Sequence, residues 1–297
     1  MIFRTMSISE KWLELLNYGY MDDKRVFIVG TWAVHLATFW GWNSLLFLCY
    51  YFNLFPERRI QGGINPDWKL TKDCLIHLLT NHLLVQPIVL FFLYNAFEYR
   101  GTVIRGPLPS VGIILRDLLV CVLMNDTLFY WAHRMLHHKS IYKYIHKQHH
   151  KFKVTIGIAC EYAHPVEDVL ANVIPTLSGP LLMGSHVLVF WLWLSMALTF
   201  TIDAHSGYYF LISPFNKLPF QVGSDRHDYH HSHNVGCYGA AFVFWDWIMG
   251  TDKHFLEYDQ KKKSGQSVES LGPDSEVEED VPVCQDVKKV SNKKKTK

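Results

Sequence analysis

Apolar positions along this chain collect into a few long runs rather than alternating with polar ones. Crossing the roughly 30 Å hydrocarbon core of a bilayer takes about 20 apolar residues in a helix. Val26–Phe55, Cys74–Tyr94 and Val111–Trp131 each meet that length, and a longer apolar region follows from Val166 to Ile202. Pro56 and a polar loop carrying Arg58, Arg59, Lys69 and Lys72 close the first run, which is long enough for one tilted span or for a span plus an interfacial stretch. Pro87 interrupts the second run, and a membrane helix tolerates this where neighbours satisfy the freed carbonyl.

The fourth region fixes the expected topology. His164 and His205 stand 41 positions apart, with Gly179–Pro180 and Gly184-Ser185-His186 near the middle. Two helical legs of roughly 18 residues, at about 1.5 Å per residue, each cover about 27 Å, close to one hydrocarbon thickness. A helical hairpin therefore enters and returns, bringing His205 back to the face that His164 left. The same face carries Arg134, Lys139, Lys143, Lys147, Lys151, Lys153 and Lys261–Lys263, which the positive-inside rule makes cytosolic. The expected fold class is an all-α integral membrane protein: a multi-pass helical bundle with a cytosolic, histidine-rich helical cap. Residues 1–25 form a polar N-terminal segment, 26–260 the membrane domain, and 261–297 a charged tail expected to be disordered. The tail ends in Lys293-Lys294-Lys295-Thr296-Lys297, the dilysine arrangement of an endoplasmic-reticulum retrieval signal.

Composition adds little to this picture until histidine is counted. A net charge of +2 favours neither nucleic acid nor an acidic partner. The six cysteines have no paired spacing, as expected of reduced thiols rather than a disulfide framework. Histidine is the outlier: there are 17, most of them between His133 and His233. They recur as His133-x-x-x-His137, His146-x-x-His149-His150 and His227-x-x-His230-His231. Helical residues three and four apart share a face, so each cluster is expected to point a set of imidazoles one way. Neutral imidazole is the commonest metal ligand. Eight of them exceed the four of a zinc site, which implies two metals, although ligand type alone leaves Fe, Zn, Cu and Ni open. His35, His77, His82 and His186 occur singly in apolar runs and are read as satisfying local hydrogen bonds or facing the bundle interior.

In order and spacing, the three boxes resemble those of the fatty acid hydroxylase / sterol desaturase superfamily. Asp126–Lys153, Glu161–Glu167 (EYAHPVE), Thr201–Tyr208 (TIDAHSGY) and Trp245–Asp252 (WDWIMGTD) are most similar to its C-4 methylsterol oxidase branch. His233 after the third box and Met249 depart from that branch's usual residues. The resemblance implies a non-haem diiron monooxygenase that uses two iron ions and dioxygen on a lipid C–H bond. The implied substrate is a 4-methyl sterol, with another sterol or fatty-acyl hydroxylation or desaturation as the alternative. It implies His133, His137, His146, His149, His150, His227, His230 and His231 as ligands. The hairpin adds His164 and His205, and Asp126, seven residues before the first box, is expected either to orient a ligand imidazole or to pair with Arg134. The chain has no GxGxxG, P-loop or CxxCH pattern. The resemblance therefore also implies electrons from a membrane b-type cytochrome and its NAD(P)H-dependent reductase, in the endoplasmic-reticulum membrane. A silent scaffold or a metal transporter is the reading from a different class. Transporter ligands belong at mid-membrane, whereas these boxes follow the helix ends, and a silent homologue would have lost box histidines.

Overall fold

A computed structural model describes residues 6–62, 64–210, 213 and 220–265. Every regular element among them is helical, and pairing is limited to isolated bridges at Arg59–Tyr208 and Gln221–Phe242. Helix α1 (Ile8–Tyr18) opens on a capping box in which Ser7 and Glu10 satisfy each other's backbone N–H groups. Its Trp12 donates from Nε1 to the Ile104 carbonyl and meets Trp191 edge-on, so the polar N-terminal segment packs on the bundle.

The first apolar run is one helix, α2 (Asp23–Tyr51), started by Asp22 accepting from the Arg25 N–H. The second is α3 (Trp68–Thr80), a π-helical turn (Asn81–Val85) and α4 (Gln86–Tyr99), continuous over Trp68–Tyr99. Pro87 lies directly after the π-helical turn inside this continuous helix, where the local change of register accommodates its missing N–H. Helix α5 (Val111–Leu136) carries the third run beyond the predicted Trp131 and into the first histidine box. The short α6 (Lys139–Tyr142) follows, then 3-10 turns at His146–Lys151 and Gly157–Glu161.

The predicted hairpin is present. Its first leg is α7 (Pro165–Glu167), a π-helical stretch (Asp168–Val173) and α8 (Ile174–Met183); its second is α9 (Val187–Ala204). The reversal lies at Gly184–His186 rather than Gly179–Pro180, because Gly184 takes the left-handed conformation (φ 56°) while Pro180 stays within α8. The legs separate to pack on different neighbours, α8 on α5 and α9 on α2. At the α5–α8 crossing a Cβ on Gly179 would stand 2.4 Å from the Cys121 Cα, so only glycine allows this approach. The chain ends its described part with α10 (Gly223–His233), α11 (Phe244–Met249) and α12 (Lys253–Lys263), which runs past residue 260. Residues 266–297 of the charged tail, with the terminal lysines, lie outside the described residues.

Trp68–Tyr99 and Val187–Ala204 are long and apolar enough to cross a membrane. Helices α2 and α5, at 29 and 26 residues, have the length for a span but fall short of that apolarity. Many large apolar side chains face outward, among them Leu79, Leu84, Ile88, Phe92, Leu115 and Leu119. In water such a surface is costly; against hydrocarbon it is not.

Candidate metal centre

Nine of the ten expected histidine ligands come together, in two groups. One holds His133, His137, His146, His150 and His230; the other holds His149, His205, His227 and His231. All are buried except the partly exposed His137. In each group one ring nitrogen of every histidine lies within 4.8 Å of the others.

The boxes do not each point their imidazoles one way, as the spacing suggested. They interleave. Successive helical residues turn by about 100°, so i and i+4 nearly superimpose while i+3 sits on the other side of i. The i, i+4 pairs His133/His137 and His146/His150 serve the first group, and His227/His231 the second. The i+3 members cross over: His149 joins the second group and His230 the first. His146–Lys151 is a 3-10 turn rather than an α-helix, yet His146 still pairs with His150, with ring nitrogens 3.0 Å apart.

Backbone carbonyls set the tautomers. A carbonyl can only accept, so Nδ1–H must donate from His133 to Tyr238 (3.0 Å), His205 to Thr201 (2.8 Å), His230 to Gly236 (2.5 Å) and His231 to Phe152 (3.1 Å). Nδ1 of His146 lies 2.7 Å from a carboxylate oxygen of Glu167, whose other oxygen is buried without a partner. A neutral imidazole has one N–H, so each of these rings turns a bare Nε2 lone pair inward. Those nitrogens converge: His146 on His137 and His150 (both 3.0 Å), His137 on His230 (3.1 Å), His227 on His205 (2.9 Å) and on His231 (3.2 Å). One proton on His227 could serve one of its two neighbours, not both. Bonds of about 2.0–2.1 Å to a common ion place adjacent ligand nitrogens roughly 3–3.4 Å apart. The donor set therefore fits two metal ions side by side. Burial, reinforced by neighbouring imidazoles, holds His137, His146, His149, His150, His227, His230 and His231 well below the ordinary imidazole value, in the neutral form a metal needs.

His164 stands apart from both groups. It caps α7, its Nδ1 accepting from the Val166 N–H (3.2 Å). Asp126 touches no ligand imidazole among its hydrogen bonds; it accepts from the backbone N–H groups of Ala241 (3.0 Å) and Phe242 (2.9 Å). Asp246 accepts from Tyr238 (2.9 Å) and Gly239 (2.8 Å). Together they hold the loop whose carbonyls orient His133 and His230, so Asp126 acts on the ligands through the backbone. Asp228 anchors the opposite side of α10, accepting from Thr155 Oγ1 (2.8 Å) and Gln61 Nε2 (3.0 Å). Burial pushes its carboxyl up to about 6, against the pull of those hydrogen bonds.

Sequence reasoning did not assign Glu167, the orienting carbonyls or Asp246. Both carboxylates lie in stretches singled out in the sequence, Glu167 in EYAHPVE and Asp246 in WDWIMGTD, without a role attached to them there.

Residues 118–251 match the fatty acid hydroxylase family. The chain is 35% identical over 264 residues to a putative methylsterol monooxygenase of Dictyostelium discoideum, covering 88% of this chain and 97% of that protein. It is 35% identical over 247 residues to methylsterol monooxygenase 1 of Rattus norvegicus (82% and 84% covered). A very-long-chain aldehyde decarbonylase of Oryza sativa subsp. indica is 38% identical over 243 residues (80% and 90% covered). No solved structure matches.

Proposed function

Because the chain belongs to the fatty acid hydroxylase family, we propose that it is a membrane monooxygenase holding two iron ions and oxidising the C-4 methyl group of a 4-methyl sterol. The observation that carries this reading is the convergence of nine neutral imidazoles, four of them with tautomers fixed by backbone carbonyls, into two adjoining groups. Two irons bound there would activate dioxygen and oxidise an unactivated C–H bond.

The chain's own residues do the rest. His133, His137, His146, His150 and His230 would hold one ion, and His149, His205, His227 and His231 the other. Glu167 and the carbonyls of Thr201, Phe152, Gly236 and Tyr238 keep the rings aimed without rearrangement. Burial of nearly all these rings keeps bulk water from the centre. Trp68–Tyr99, α9 and the remaining long helices would set the domain (residues 26–260) across the bilayer, so that an apolar substrate enters from the lipid. The cap would face the cytosol from the endoplasmic-reticulum membrane, where Lys143, Lys147, Lys151 and Lys153 would offer a basic surface to a b-type cytochrome served by an NAD(P)H-dependent reductase.

Likeness to the rice aldehyde decarbonylase supports a second reading with the same centre, in which the substrate is a long-chain fatty aldehyde. Lipid profiling of cells lacking the protein separates the two. The sterol reading expects 4-methyl sterols to accumulate; an unchanged sterol profile with accumulating long-chain aldehydes rejects it in favour of the second.

A further inference from the structure

A third group of metal-ligating side chains lies outside the nine-histidine centre. His35 comes from the middle of α2, His82 from the π-helical turn between α3 and α4, and Glu161 from the 3-10 turn that follows the second box. Nε2 of His35 lies 2.9 Å from one Glu161 oxygen, and Nε2 of His82 lies 2.7 Å from the other. The His82 side chain is fully buried, while those of His35 and Glu161 are 11% exposed. The side-chain amide of Gln86, one turn beyond His82, reaches 3.1 Å from the same His35 nitrogen, and its oxygen is buried without a partner. Turning that amide over is sterically neutral and would bring an oxygen onto the cluster.

Among the described residues the ion-pair contacts of Glu161 are with these two imidazoles. Nδ1 of both rings is buried with no hydrogen-bond partner, so a proton placed there would strand an N–H among apolar helices. A divalent ion held by the two Nε2 atoms and the carboxylate would supply positive charge without that cost. The backbone also spends something to build the cluster. A π-helical turn is an uncommon insertion that re-aims the side chains around it and recurs at functional sites. Here it turns His82 inward from a helix whose neighbouring Leu83, Leu84 and Val85 face out.

We infer that His35, His82, Glu161 and Gln86 form a third, mononuclear site for a divalent transition-metal ion of the zinc class. Two imidazole nitrogens, a carboxylate and an amide oxygen make a mixed nitrogen–oxygen set suited to zinc. Enclosure by three helical segments and the absence of any role for these residues at the nine-histidine centre make it a structural ion. It would tie α2, the α3–α4 helix and the segment after the second box together.

The test uses the full-length protein, purified in detergent from cells supplied with zinc and iron, with both metals counted per chain. The wild type is expected to hold about one zinc in addition to the iron of the nine-histidine centre. Glu161→Gln and His82→Gln are expected to lose that zinc and keep the iron. His146→Ala is expected to lose iron and keep the zinc, so a failure of the diiron reading and a failure of this one leave different signatures. A wild type without zinc overturns the inference, whether or not the variants fold. So does zinc that persists in folded Glu161→Gln and His82→Gln proteins, which would leave the cluster as a hydrogen-bonded triad.

Discussion

Glu167 offers the sharpest test of how this centre is aimed. Its carboxylate lies 2.7 Å from Nδ1 of His146, a ligand of the five-histidine group, and makes no contact with the four-histidine group among its hydrogen bonds. Burial pushes the Glu167 carboxyl up to about 9 in the metal-free site, and the positive charge of a metal bound by His146 would return it to the ionised form. A hydrogen bond to a charged acceptor is then worth about 1.5–3 kcal/mol against about 0.5–1.5 for a neutral one. Glu167→Gln keeps an acceptor oxygen in place, so it should weaken metal binding by the difference, about 1 kcal/mol or roughly fivefold. Glu167→Leu removes the acceptor, frees the His146 ring and buries an unsatisfied N–H. Loss of such an orienting partner typically costs about 10–100-fold in metal affinity. Titrating metal-free protein with Co2+ against a competing chelator would resolve the two groups as separate phases. Only the phase of the five-histidine group should shift, graded wild type, Gln, Leu. Equal shifts in both phases, or a Leu variant that binds like wild type, would refute the reasoning.

Other substitutions probe separate links. His205→Ala should lower the metal content by about one ion per chain, because it removes one of four ligands, whereas His164→Ala should leave it unchanged; metal counting on the two purified variants decides both. Gly236→Ala places a Cβ 2.1 Å from the Thr251 carbonyl at a residue with φ 61°, and Gly236 carries the oxygen that orients His230. It should cost at least about 1–2 kcal/mol in backbone strain and weaken the five-histidine phase of the same titration. Asp126→Ala strands the Ala241 and Phe242 N–H groups, at about 1–3 kcal/mol for each one left unsatisfied, read as a lowered thermal midpoint. Gly179→Leu should separate α8 from α5 and destabilise the protein by at least about 1–3 kcal/mol, measured the same way.

The parts of this molecule legible in the sequence were those fixed by short-range periodicity. Runs of apolar residues marked the long helices, and the hairpin arithmetic returned His205 to the centre because helix length and bilayer thickness are both fixed. His164 falls in neither group, its ring capping α7 after the 3-10 turn at Gly157–Glu161. Spacing identified the box histidines but not their division between two groups, which depends on how α5, α10 and the turn at His146–Lys151 face one another. The Glu161 cluster was illegible for a related reason. Its members are drawn from positions as far apart as 35 and 161, and a lone histidine in an apolar helix reads as a satisfied core residue until the fold sets a carboxylate beside it.

Interleaving of the boxes has a consequence for how the protein is made. The first and second boxes leave the ribosome long before the third, yet neither group is complete without residues from α10: His230 for one, His227 and His231 for the other. The five-histidine group is incomplete until residue 230 has been synthesised and the four-histidine group until residue 231, by which time every long apolar helix is already out. The order of events is thus written into the numbering. The long helices are all made before α10, and α10 then completes both groups of imidazoles together, like a clasp fastened after the frame is assembled.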